Sequence, residues 1–135
     1  MFGMSRSPTA SYAQVSKDIA IETADPHRLI VMLFDGARAA ISMARAHMAQ
    51  KEIAEKGAAI SKAIDIINNG LLASLDIERG GELAERLAAL YRYISQRLLW
   101  ANLNNDAAAL DECLNLLGEL HSAWAEIAPA KQAAA

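Results

Sequence analysis

Asp25-Pro26-His27-Arg28-Leu29-Ile30-Val31-Met32-Leu33-Phe34-Asp35-Gly36-Ala37 is the stretch that decides the fold class. The Asp25 carboxylate can accept hydrogen bonds from the free N–H groups of a first helical turn, and Pro26 suits the first helical position because it has no N–H to leave unpaired. The apolar residues that follow recur at three- and four-residue spacing, the period of one helix face. A long amphipathic helix begins at Pro26.

The same periodicity dominates the rest of the chain. Prolines stand only at positions 8, 26 and 129, and β-branched alternation is absent, so nothing competes with helix over most of the length. The pattern predicts helix one from Pro26 to about Ala49 and helix two from about Ile53 to Leu75, joined by the polar Gln50-Lys51-Glu52. So short a link makes them antiparallel neighbours. Asp76 to Gly81 reads as a turn, with helix three from Glu82 to about Leu103. Asn104-Asn105-Asp106 supplies turn formers and a cap for helix four, which runs to about Ile127. The expected architecture is all-α, an antiparallel up-down-up-down four-helix bundle over residues 25–128. An N-terminal arm, 1–24, precedes it, and a disordered Ala-rich tail, 129–135, follows. In the arm Tyr12, Val15 and Ile19 share one face at helical spacing, so it can form a short extra helix.

Composition narrows the function. At 135 residues and 53% hydrophobic, the chain fits one domain with an ordinary core. Thirteen basic against 16 acidic side chains supply no concentrated positive field for phosphate backbones or anionic lipid, so no nucleic-acid partner is expected. No uncharged run approaches the roughly 20 residues that span a bilayer, and the first residues lack an apolar signal core. Membrane insertion is not expected, and the protein should stay in the cytoplasm. Cys113, the only cysteine, sits among Leu110, Leu114 and Leu117 and reads as a buried hydrophobe, a reactive thiol being the alternative. His27, His47 and His121 form no His-x-x-x-His or Glu-x-x-His pair, and Gly80-Gly81 lacks the Lys-Ser/Thr of a phosphate loop. No metal, no cofactor and no enzymatic activity are expected.

Helical wheels give more apolar surface than one core requires. Helix one is apolar over about 200°, leaving a polar strip of His27, Arg28, Asp35, Arg38, Ser42 and Arg45. Ile30, Leu33, Phe34, Ala37 and Ile41 are expected to face the core, with Leu29, Met32 and Gly36 on the excess arc. Helix two carries a core stripe of Ile53, Ile60, Ile64, Ile67 and Leu71. Beside it lies a small-residue shoulder of Ala59, Ala63, Ile66, Gly70 and Ala73, expected to leave a shallow groove. Helix three is expected to bury Leu83, Leu87, Leu90, Ile94 and Leu98, leaving Leu99, Trp100 and Leu103 outside that arc. Helix four has one stripe of Leu110, Cys113, Leu114, Leu117, Leu120 and Trp124, with Asp111, Glu112, Asn115, Glu119, Ser122 and Glu126 facing away. Large exposed apolar patches mark binding surfaces, and self-association as a homodimer would bury them as well as a partner would. Asp35, Asp65, Asn68 and Asn69 are either solvated or partner-binding; His27 is read as bonding locally at the start of its helix.

From Pro26 to Ala37 the chain resembles the flagellar export chaperone (FliS) family, whose pattern runs Pro-His-x-Leu-Ile-x-Met-Leu-(Phe or Tyr)-Asp-Gly-Ala. Further matches are Lys62-Ala63 with Ile66-Ile67, Ser74-Leu75-Asp76 before Gly80-Gly81-Glu82-Leu83-Ala84, Leu90-Tyr91-x-Tyr93, Ala101-Asn102 with Asn105-Asp106, and Trp124. The resemblance covers about Tyr12 to Ile127. It departs at Asp25, where many relatives carry Ser, a residue that caps equally well. The resemblance implies a cytosolic chaperone that holds the disordered C-terminal segment of flagellin, prevents premature polymerisation and presents it to an export-gate component of the secretion system. An anti-sigma factor is a candidate second client. Without client the protein would be a monomer or weak homodimer. The resemblance places client-binding residues in a displaceable arm, Tyr12, Val15 and Ile19, and the wheels add Ala59, Ala63, Ile66 and Gly70 on helix two and Leu99, Trp100 and Leu103 on helix three as the expected client surface.

Overall fold

The computed structural model describes residues 25–127. Helix α1 spans Pro26–Ala49, α2 Ile53–Asp65, α3 Ile77–Asn104 and α4 Ala107–Glu126; a π-helical segment, Ile66–Leu72, continues α2. The fold is an all-α four-helix bundle in which α1 packs on α2 and α4, and α3 packs on α4, α2 and the π segment. The arm residues Tyr12, Val15 and Ile19, and the tail, lie outside the described residues.

The caps read from sequence are in place. Asp25 Oδ1 accepts from the N–H groups of His27 and Arg28 at 3.1 and 3.3 Å, with Pro26 at the start of the helix. Asp106 caps α4 through the Ala109 N–H at 3.2 Å. Between them, Asn105 closes α3 in the left-handed region at φ 48°, ψ 47°, a conformation Asn tolerates better than most residues.

Two boundaries differ from expectation. Helical structure after Ile53 ends at Leu72 rather than Leu75, and its last seven residues are π-helical. Helix α3 starts at Ile77 rather than Glu82, because Asp76 accepts from the Arg79 N–H at 3.1 Å and caps an extra turn. The glycine break is still present inside it: Gly81 adopts φ 56°, ψ −133°, a backbone conformation open to glycine.

The core is centred on Phe34, Ile41, Ile60, Ile67, Ile94, Leu98, Leu110 and Leu117, all fully buried. Around it the burial pattern corrects four expectations. The α2 shoulder is not a groove: Ala59, Ala63, Ile66 and Gly70 are buried, because small side chains let α1 close onto this face. A Cβ on Gly70 would stand 3.0 Å from Leu33 Cδ2, and one on Gly36 would stand 3.4 Å from Ile66 Cδ1. With the shoulder inward, Ile53 rotates out to 58% exposure and Ile64 is half-buried. On α3 the buried stripe is Ala84, Ala88, Tyr91, Ile94, Ser95, Leu98 and Ala101; Leu83 is exposed, and Leu87 and Leu90 are only partly covered.

The fourth correction concerns polar residues. His27, Arg38 and Arg45 of the α1 strip turn to the seam with α4, while Arg28, Asp35 and Ser42 stay exposed. Arg45 forms a two-point pair with Asp111, at 2.6 and 3.1 Å. Arg38 Nη1 donates to His121 Nδ1 at 3.0 Å, so the proton of this imidazole sits on Nε2, which lies 3.3 Å from Asp35 Oδ1. The His121 ring stacks on Phe34, centroids 5.7 Å apart. His27 likewise bonds across the bundle rather than locally, its Nε2 reaching the Trp124 carbonyl at 2.7 Å. Asp111 and Glu112, expected to face away, are both engaged across helix seams.

A candidate client-docking surface

Helix α3 ends on residues that a water-facing helix would not select. Leu99 and Trp100 are about half exposed, at 51% and 50%, and Leu103 is 81% exposed. Leu99 and Leu103 stand one turn apart and share a face. Ile53, at the start of α2, belongs to the same end of the bundle, since α2 and α3 run antiparallel and Lys56, one turn further on, reaches the last turn of α3. Leu99, Trp100 and Leu103 are thus exposed as the wheel predicted, and Ile53 joins them.

The backbone beneath this surface is fixed by Lys56, which sequence reasoning missed. Its side chain is 3% exposed, and its Nζ donates to the Asn102 carbonyl at 2.9 Å and to Asn105 Oδ1 at 2.5 Å. A cation among the last carbonyls of α3 is favourably placed against the negative end of the helix dipole. One ammonium thus ties the first turn of α2 to the left-handed corner between α3 and α4. The available signal was a lysine at helical spacing between Ile53 and Ile60, within an apolar stripe.

Trp100 is tethered as well. Its Nε1 donates to Asp106 Oδ2 at 3.3 Å, so the residue that caps α4 also orients the indole. The Ala109 N–H, and next the Trp100 N–H, hold the Asp106 carboxyl below its ordinary range. Two turns earlier on the same face, Tyr93 donates its hydroxyl proton to Glu112 Oε2 at 2.5 Å, while Arg97 Nε donates to Glu112 Oε1 at 2.9 Å. These bonds, the Tyr93 one foremost, lower the Glu112 pKa, and the bond to Glu112 raises that of Tyr93. The surface is therefore an apolar and aromatic strip on a pinned frame. It suits an amphipathic helix laid along it, a mode in which apolar anchors supply affinity.

The other polar candidates have partners in the protein, Asn68 and Asp35 across helix seams and Asp65 with Asn69 on one exposed face. Asn68 accepts from Ser95 Oγ at 2.9 Å, Asp65 accepts from Asn69, and Asp35 faces His121. A second exposed apolar stripe, Met32, Ala39, Met43 and Ala46, runs along the outer face of α1. Among the described residues there is no group of three metal-ligating side chains, and no helix is long and apolar enough to cross a membrane.

A family model described as "Flagellar protein FliS" matches residues 8–131. The flagellar secretion chaperone FliS of Salmonella typhimurium is 52% identical over 119 residues, covering 88% of each chain. FliSB of Pseudomonas aeruginosa is 48% identical over 84% of this chain and 89% of its own, and FliS of Escherichia coli 43% over 87% of each. At that extent and identity, and with an all-α bundle of the expected order, this chain belongs to the FliS family of flagellar secretion chaperones.

Proposed function

We propose that this chain is a cytosolic chaperone that binds the disordered C-terminal segment of flagellin, keeps it from polymerising and delivers it to an export-gate component of the flagellar secretion system. The observation that carries the reading is the strip of Ile53, Leu99, Trp100 and Leu103, exposed on a corner pinned by Lys56 and Asp106. Coupled folding of a ligand commonly buries on the order of 1,000–3,000 Å² and costs about 2–5 kcal/mol in ordering, which a broad apolar surface can offset. Family membership supports the chaperone role without naming the client. In the same reading, Tyr12, Val15 and Ile19 of the arm compete with the client. Removing residues 1–22 then changes client affinity while folding is preserved.

Titration calorimetry against a flagellin C-terminal segment tests the reading. Submicromolar, one-to-one binding with a negative heat-capacity change is expected; no heat at tens of micromolar overturns it. The exposed Met32–Met43 stripe on α1 favours one alternative, a self-associating bundle. Light scattering across concentration separates the two, since a dimer that persists with client bound would assign the apolar surface to self-association.

A further inference from the structure

The face where α1 meets α4 carries an open groove of about 650 Å³, well away from the α3 strip, with Arg38 on its α1 wall and Asn115, Gly118, Glu119, Ser122 and Glu126 along α4. Arg38 is the unusual member. Arg45, Arg86 and Arg97 each meet a carboxylate, whereas Arg38 has none within 4.0 Å among the described residues. Its one hydrogen bond goes to a neutral ring nitrogen of His121, and its Nε is the single buried side-chain nitrogen or oxygen without an acceptor among the described residues. A half-buried guanidinium gains most from a two-point carboxylate, and here that partner is missing.

Gly118 keeps the guanidinium within reach. A Cβ there would stand 3.5 Å from Arg38 Nη2, so any longer side chain would grow over the cation. The rim sets the charge pattern. Glu119 and Glu126, two helical turns apart on α4, repel acidic groups everywhere except beside Arg38 and attract basic ones.

Resting on the export-chaperone reading, we infer that this groove is a second foothold for the client, taking a helical portion that places one carboxylate on Arg38 and basic side chains against Glu119 and Glu126. Charge complementarity selects this occupant: a polyacidic segment meets the two glutamates, and a purely apolar one leaves Arg38 unpaired.

The test uses the full chain and a flagellin C-terminal segment, with affinity by calorimetry and coverage by hydrogen exchange. Gly118→Leu blocks the groove from an ordinary contact distance, and Arg38→Gln removes the charge. Each is expected to weaken binding about tenfold, and Gly118→Leu to do so with no fall in Tm. One acidic position of the client, neutralised in turn, should cost affinity against wild type and nothing further against Arg38→Gln. Binding within about twofold of wild type for both variants overturns the inference, and leaves the chaperone reading standing if Leu103→Asp still weakens binding by about two orders of magnitude. No binding to wild type overturns both.

Discussion

His27 and Trp124, 97 positions apart, exchange hydrogen bonds in both directions. His27 Nε2 donates to the Trp124 carbonyl at 2.7 Å, Trp124 Nε1 donates to the His27 carbonyl at 3.0 Å, and the rings stack with centroids 5.4 Å apart. The pair fastens the start of α1 to the end of α4, the two helix ends from which the bundle would otherwise fray. Each bond satisfies a ring N–H that partial burial would otherwise leave without water, on a carbonyl that also accepts a backbone N–H. Trp124→Phe keeps the stacked ring but removes the indole N–H, and with it the bond to the His27 carbonyl. It should destabilise by about 0.5–1.5 kcal/mol in urea titrations, and an unchanged midpoint would mean that the contact is incidental.

Two glycines in helices call for opposite outcomes on substitution by alanine. Replacing a helical glycine gains about 1 kcal/mol from backbone propensity alone. At Gly118 the new methyl would meet Arg38 at ordinary contact distance, 3.5 Å, so Gly118→Ala should stabilise by up to about that amount. At Gly70 it would meet Leu33 at 3.0 Å with α1 packed behind. Overpacking costs about 1–3 kcal/mol, which outweighs the propensity gain. Thermal unfolding of both variants checks the sign, and a stabilised Gly70→Ala would show that the α1–α2 contact can open without cost.

Why the bundle was legible and part of its surface was not follows from these same residues. Asp25-Pro26, Asn105-Asp106 and the apolar period are local signals, so the helix order, the start of α1 and the α3–α4 corner could be read directly, whereas the glycine pair masked the Asp76 cap of α3. Burial on α2 depends on which neighbour comes closest. Ala59, Ala63 and Gly70 look like an open shoulder on a wheel, yet their small size is what admits α1. The π segment left no trace, because buried Ile66, Ile67, Gly70 and Leu71 fit an α period equally well. Pairings across the bundle, such as His27 with Trp124 and Lys56 with Asn102, join residues whose separation carries no local pattern. Leu99, Trp100 and Leu103 were legible because they fall outside any arc that a helix touching two neighbours can cover.

Cys113 should be chemically silent while the protein is folded. It is fully buried, its Sγ donates to the Ile94 carbonyl at 3.7 Å, and burial pushes its pKa up to about 12. At pH 8 the thiolate is then about one part in ten thousand, and that fraction has no path to reagent. Disulfide-exchange labelling should proceed only at the rate of global opening and accelerate with urea. Rapid labelling in native buffer would require a mobile α3–α4 seam.

Acid should loosen the α3–α4 corner first. Asp106 and Glu112 both have folded pKa values below their ordinary 3.8 and 4.5, through the hydrogen bonds from Ala109 and Trp100 and from Tyr93 and Arg97. A carboxylate with a depressed folded pKa binds protons more readily unfolded than folded. Its stabilisation is therefore complete above the ordinary value and is lost as pH falls through the folded one. Tm should hold from pH 7 to about 5 and fall progressively below about 4.5, with Trp100 fluorescence changing over the same range. The double variant Asp106→Asn, Glu112→Gln should start lower at pH 7 and lose less Tm between pH 5 and 3. Parallel curves for the two proteins would assign the acid sensitivity elsewhere.

The exposed strip makes the sharpest separation between folding and binding. Leu103 is 81% exposed and Leu99 51%, so an aspartate at either position removes little buried area and should shift stability by no more than about 0.5 kcal/mol. If a client helix seats its apolar face there, the same aspartate is buried without a partner in the complex. That costs several-fold more than the lost contact, and affinity should fall by about two orders of magnitude. Ala59→Ser, on the buried shoulder of α2, should do the reverse, lowering Tm while the folded fraction binds normally. Calorimetry and thermal unfolding on the three proteins decide the matter. Normal client affinity in Leu99→Asp and Leu103→Asp would remove the strip from the client site.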